Sequence, residues 1–238
     1  MNAIESIEDR CFRESIREWM QTHLTGEFEP LRHANGMGSP GYSAALAKRW
    51  EQELAKGGWT GLSWPKAKGG RELPLAQQMI FHEEYVQCGG PGRLGHIGET
   101  LLAPTLMAYG NEALKNQFLP GIFNGTDYWA QGYSEPGAGS DLAGVQTRAR
   151  LDTETGEWVI DGQKVWTSWA HESDWIFVLA RCEPGSSRHK GLIFLLVPLK
   201  QPGVTLRPIR QITGESEFNE VFFDGARTAS TCVLGEPG

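Results

Sequence analysis

Cysteine is scarce in this chain: Cys11, Cys88, Cys182 and Cys232 lie far apart in 238 residues, with no CxxC spacing. That excludes a zinc ribbon or a disulfide framework and leaves buried thiols as the reading. A basic excess is also lacking. The net charge is −7, and the 22 basic residues divide 12 and 10 on either side of Gly125 against 14 and 15 acidic ones. Neither part has the positive field that a nucleic-acid backbone demands. Long apolar runs are missing too. Gly191 to Leu199 is far too short to cross a bilayer and holds Pro198, so no membrane span is expected. The opening MNAIESIEDR carries acidic residues where a secretory leader has a basic region and an apolar run, so the expectation is a cytoplasmic protein. What is present is core material: 39% hydrophobic residues, with nine Trp and ten Phe, in a length that suits one large domain or two ordinary ones.

The pattern is helical to about Gly125. Ser6 with Asp9 resembles a capping box ahead of Phe12, Ile16, Trp19, Met20 and Leu24, and Gly26 is a stop. A second helix is expected from Ser43 to about Lys56. A third follows Pro74, with Met79, Ile80 and Val86 on its apolar side. Trp59 to Gly70 reads as a loop, and Pro104, Gly110 and Pro120 break what remains, one helix starting near Asn111.

Beyond Gly125 the period alternates. Strands are expected at Tyr128–Tyr133, Thr147–Leu151, Trp158–Ile160, Lys164–Ser168, Trp175–Arg181, Leu192–Val197, Val204–Ile209 and Glu220–Phe223, with Asp161-Gly162 as a type I′ hairpin turn. The fold class is therefore α+β: a helical domain over 1–125, then an antiparallel barrel or sandwich over 126–238.

Two stretches carry the chemistry. WAQGYSEPGAGSD, Trp129 to Asp141, is a strand that ends in a Pro/Gly loop, a shape that lets backbone N–H groups approach an anion. GQKVWTSWA, Gly162 to Ala170, is strand-like and sets Trp166 and Ser168 on one face. The usual nucleotide and hydrolase fingerprints fail here. Leu142 stands where a dinucleotide loop needs its third Gly, no Gly-Lys-Ser/Thr occurs, Val86 stands where His82-Glu83 would need a second His, and Ser134 lacks the elbow glycine. Taken alone, PGAGSD reads as a turn and Trp166 as a sheet aromatic. Together they offer a wall and hydroxyls for a planar ring beside a loop that holds a pyrophosphate, which is what a flavin nucleotide needs.

The order SEPGAGSD, then DGQK, then WTS, and finally NEVFF before VLGE closely resembles the acyl-CoA dehydrogenases, whose N-terminal and middle domains the chain matches along its whole length. The resemblance implies FAD as cofactor, bound by Gln131, Gly132, Tyr133, Ser134, Gly139, Ser140, Trp166, Thr167 and Ser168. Ser134 would face the pyrimidine end of the ring, Trp166 would flank it and Ser168 would bond near N5, where many members have Thr. Ser140 would lie near the pyrophosphate and the pantetheine of the substrate. Arg188, in the basic loop Ser186–Lys190, would reach the CoA phosphates, although a solvated hairpin tip is the plainer reading of that loop. Glu99, in HIGET, is a further candidate for the substrate pocket.

The reaction implied is α,β-dehydrogenation of an acyl-CoA thioester. Its Glu base lies on a third, helical domain in that family, and Leu234 to Gly238 fall about where such a domain begins, so no catalytic base and no metal site is assigned within these residues. Electron transfer flavoprotein is the implied acceptor, and a homo- or hetero-oligomer the implied assembly. A scaffold subunit that pairs with a full-length relative, or a flavin oxidase or monooxygenase on the same fold, stays open.

Overall fold

A computed structural model describes residues 6–36 and 38–238; the first five residues of the acidic opening stretch lie outside them. Two compact units form. One takes in Met1–Leu94 with Phe123–Thr126, the other Gly95–Ile122 with Asp127–Gly238.

In the first unit, α1 (Ile7–His23) starts as its capping box requires, with Ser6 Oγ accepting the Asp9 N–H at 3.0 Å. α2 (Ala44–Lys56) is capped by Ser43, and α3 (Leu75–Gln87) follows Pro74. The apolar side of α3 is not the expected one. Met79 and Val86 are exposed, and the buried face is Gln77, Ile80, Phe81, Glu84 and Tyr85. The pattern misleads because a carboxylate sits on the inward face: Glu84 is fully buried and takes Arg13 and Arg17 from α1. Around it the aromatic residues interlock, with Trp59 stacked on Phe81 at 5.4 Å and Trp50 Nε1 donating to the Tyr85 hydroxyl at 2.9 Å.

The second unit opens with a π-helical stretch, Ile97–Leu102, that runs into α4 (Ala103–Tyr109). Pro104 sits in the first turn of α4 and Gly110 closes it. Pro120, however, lies inside α5 (Glu112–Phe123) without ending it; lacking an N–H, it leaves the carbonyl of Asn116, four residues earlier, without its helical amide partner. Asn111 Oδ1 accepts the Leu114 N–H at 2.9 Å and starts α5.

Seven strands follow: β1 (Trp129–Gly132), β2 (Arg148–Asp152), β3 (Glu157–Ser168), β4 (Trp175–Arg181), β5 (Leu192–Pro198), β6 (Val204–Ile209) and β7 (Phe218–Ala229). They form one curled mixed sheet in the order β1-β4-β2-β3-β7-β6, with β5 also on β4. Most pairs are antiparallel, while β1 and β2 run parallel to β4. Ile160, Ile176, Val178, Leu195, Val197 and Val221 fill its core.

Asp161-Gly162 is not a turn, and β3 passes straight through it. The irregularity belongs to β7. Ile160 pairs with Ala226 and Asp161 with Asp224, which leaves Gly225 as the extra residue at φ 68°, its N–H held by Asp161 Oδ1 at 2.7 Å. The true β2–β3 turn is built by Asp152, whose Oδ1 accepts the Glu154 N–H at 3.1 Å, with Gly156 at φ 70°. The thiols differ from expectation as well: Cys232 is buried, but Cys11 is exposed and Cys88 and Cys182 are half-buried. Among the described residues no helix is long and apolar enough to cross a membrane.

Candidate functional site

β1 is fixed by its parallel partner. Gly132 pairs with Val178, and a Cβ there would come within 2.9 Å of Ile176 Cδ1, so glycine lets the strands close. Past β1 the chain turns at Pro136-Gly137, where Glu135 and Ala138 exchange backbone hydrogen bonds of 2.7 and 3.1 Å. Tyr133 is half-buried, edge-on to Phe177 and Phe194. Ser134 is half-buried, while Gly139 and Ser140 are exposed.

The two motifs are laced together. The Val165 N–H donates to Ser134 O at 2.9 Å, which lays the SEPGAGSD loop along β3. Beneath that contact lies an ion pair that the sequence reading passed over. Lys164 Nζ, fully buried, donates to Glu135 Oε1 at 2.7 Å, Leu179 O at 2.7 Å and Tyr133 O at 3.1 Å. Glu135 also accepts the Gln146 and Thr147 N–H groups at 2.6 and 2.9 Å. Burial alone would raise the carboxyl of Glu135, but the hydrogen bonds from Lys164, Thr147 and Gln146 outweigh it and hold the group below its ordinary range. Burial pulls Lys164 down, yet its three partners are all acceptors, which keeps it an ammonium. Parity was the available signal: Lys164 shares the inward side of β3 with Ile160.

Against β7, Lys164 pairs with Val221 and Thr167 with Asn219, so three steps on β3 face two on β7. This bulge puts Trp166 at φ 60°, a left-handed conformation unusual for a bulky residue. The indole is 59% exposed and edge-on to Phe218 at 6.1 Å, Ser168 is half-buried, and Thr167 turns into the core, where its hydroxyl has no partner among the described residues. Asn219, of NEVFF, is fully buried and donates to Thr167 O at 3.1 Å, which pins the end of the strand. Trp169, also left-handed at φ 57°, donates its N–H to Glu217 O at 2.8 Å.

Arg188 stands apart from this strip. Its side chain is exposed, and its carbonyl is 3.3 Å from Arg181 Nη2. Arg181 is another residue the sequence reading missed: it ties the hairpin loop to Ala143 O at 2.8 Å and Val145 O at 3.3 Å. Glu99 is buried within the π-helical stretch.

The residues fit a flat ring with a phosphate tail. An exposed aromatic, Trp166, sits at a bulge that fixes its backbone, and the half-buried hydroxyl residues Ser134 and Ser168 lie on the two segments laced together beside it. Gly137 and Gly139 need no positive φ, and a Cβ on either would meet nothing in this chain. Fold and site together place the chain in the acyl-CoA dehydrogenase family, whose N-terminal domain matches residues 6–126 and whose middle domain matches residues 130–226. The chain is 53% identical to the acyl-CoA dehydrogenase IpdE1 of Mycobacterium tuberculosis over 95% of its own length and 58% of that protein's. It superposes on the Tcur3481–Tcur3483 steroid ACAD with a TM-score of 0.85 at 32% identity, covering 100% of this chain and 59% of that one. The ChsE4–ChsE5 complex of Mycobacterium tuberculosis gives a TM-score of 0.83 at 29% identity, covering 100% and 58%.

Proposed function

We propose that these residues form the N-terminal helical domain (1–125) and the FAD-binding β domain (126–238) of an acyl-CoA dehydrogenase that introduces an α,β double bond into an acyl-CoA thioester. The observation that carries this reading is the lacing of SEPGAGSD onto the Lys164–Ser168 strand through Val165–Ser134 and Lys164–Glu135. Members of the family bind FAD, which when bound supplies the hydride acceptor. Toward it the chain offers the Trp166 face as a wall, the Ser134 and Ser168 hydroxyls as donors, and the backbone from Gln131 through Gly139 and Ser140 as the approach for phosphate. Donors at the ring edge stabilise negative charge as it develops there. The carboxylate that takes the α-proton is assigned to the remaining length that the relatives have, and electron transfer flavoprotein is the proposed acceptor.

A hetero-oligomeric subunit role is the second reading, favoured because a solved relative is a complex of two named proteins. Flavin absorbance of the purified chain after gel filtration tests both. Bound flavin that Ser168→Ala and Trp166→Ala weaken supports the first. A flavin-free chain that takes up flavin only beside a full-length relative favours the second.

A further inference from the structure

Ser168 lies between two backbone anomalies. Trp166 and Trp169 take left-handed φ values of 60° and 57°, a conformation that non-glycine residues rarely adopt and that persists only where the surroundings impose it. The side chain between them on the strand does not supply that hold, since the Thr167 hydroxyl is buried without a partner among the described residues. The hold comes from β7 and from the short turn Ala170–Glu172. Trp169 donates its N–H to Glu217 O at 2.8 Å, and its carbonyl accepts from Ser173 Oγ at 2.9 Å. The Asn219 carboxamide reaches Thr167 O, Glu217 O and the ring of His171.

Asn219 is fully buried, so each of its polar atoms needs a partner. Its Nδ2 lies 3.1 Å from Thr167 O and 3.4 Å from Glu217 O, both of which can only accept. These two carbonyls therefore fix which end of the amide is the NH2 and engage both of its hydrogens. Oδ1 is left facing Nδ1 of His171 at 3.1 Å, the donor it meets among the described residues. The same ring nitrogen is 3.0 Å from Nδ2. A lone pair on Nδ1 would face that of Oδ1 and leave a buried acceptor unmatched, so the proton sits on Nδ1. Nε2 makes no hydrogen bond with any described residue, and the imidazole is tied to the protein's polar groups through Asn219.

We infer that His171 is a positioning residue for the Trp166–Ser168 edge: its Nδ1–H orients the Asn219 carboxamide, which holds the Thr167 carbonyl and with it the directions of the Ser168 side chain and the Trp166 indole. The inference rests on the flavin-binding reading of that edge. Thr167 pairs with Asn219 and Ser168 with Phe218, so the clamp grips β3 at the rung next to Ser168. A peptide group pinned at its carbonyl by a buried donor cannot swing, and the side chains on either side keep one direction before any ligand arrives. Binding then costs less ordering. Packing against the Trp169 ring, 6.4 Å away, is the other role open to His171, and it needs no ring nitrogen.

The 238-residue chain tests this beside His171→Phe, His171→Asn and His171→Gln. Phenylalanine keeps a ring against Trp169 and removes Nδ1, asparagine returns an N–H near the place of Nδ1, and glutamine reaches only toward the place of Nε2. With the imidazole neutral, long-range 1H–15N correlations of the parent should find the proton on Nδ1. Without flavin, the Trp166 and Ser168 amide signals should move in His171→Phe and His171→Gln and return toward the parent in His171→Asn. In titrations with FAD followed by flavin fluorescence, His171→Phe should bind about tenfold more weakly, with displaced visible bands at saturation, and His171→Asn should recover most of the loss. The inference is overturned if the proton sits on Nε2, if His171→Gln recovers more than His171→Asn, or if His171→Phe lowers the melting temperature while FAD affinity and bands stay those of the parent. Amide signals that follow the expected order in a parent that takes up no FAD would uphold His171 as the positioning residue of this edge and sink the flavin reading. FAD binding that no His171 variant alters would do the reverse.

Discussion

Lys164 and Glu135 form a buried pair with every hydrogen-bonding group engaged, so removing one partner strands a charge in the core. Lys164→Met should cost about 3–5 kcal/mol in urea unfolding, and Lys164→Met/Glu135→Leu appreciably less. Acid should act through the same pair. The folded carboxyl of Glu135 lies below its unfolded value of about 4.3, so the pair's contribution is complete above that pH and is lost as pH falls through the lower folded value. Glu135→Gln should flatten the acid limb of a plot of stability against pH. Trp166 presents the opposite case: a non-glycine residue held at φ 60° stores about 1–3 kcal/mol of strain. Trp166→Gly should therefore leave stability equal or raised while flavin retention falls, a split that thermal melts and flavin absorbance read separately.

At the scale of elements, the helix starts at Ser6, Ser43 and Asn111 were legible because a cap is a local chemical event between residues three apart. Strand bounds such as Trp175–Arg181 were legible because alternation repeats over several residues. The bulges were not. Asp161-Gly162 carries the composition of a hairpin turn, but the conformation it helps to shape sits on β7 at Gly225, more than sixty residues away. Gly162 serves a different end: at φ 149° a Cβ would come within 2.7 Å of the Thr147 backbone. Gly162→Ala should destabilise by about 1–3 kcal/mol in chemical denaturation, far more than Gly225→Asn, since asparagine tolerates the left-handed region. The α3 face was misread for a related reason. A hydrophobicity pattern counts Glu84 as polar, and only the arrival of Arg13 and Arg17 from α1 makes it an inward residue.

For the whole molecule, the two motifs were recognisable in sequence, but what joins them was not, because Lys164 and Glu135 read as ordinary charges until the loop folds over the strand. The chain spans about 58% of the length of the relatives it matches. The purified 238-residue chain is therefore expected to show dye-linked α,β-dehydrogenation near background, because the proposed carboxylate base belongs to the remaining length. Turnover at the rate of a complete relative would refute that assignment of the base.

Gly137 and Gly139 take up conformations that other residues adopt and touch nothing that a methyl group would disturb. Alanine at either position should change the melting temperature little, or raise it slightly by narrowing the unfolded ensemble. A mutational scan scored on abundance or protease resistance would count both positions as silent. A scan scored on flavin fluorescence would single them out, and the gap between the two maps would trace the outline of the ligand on the protein.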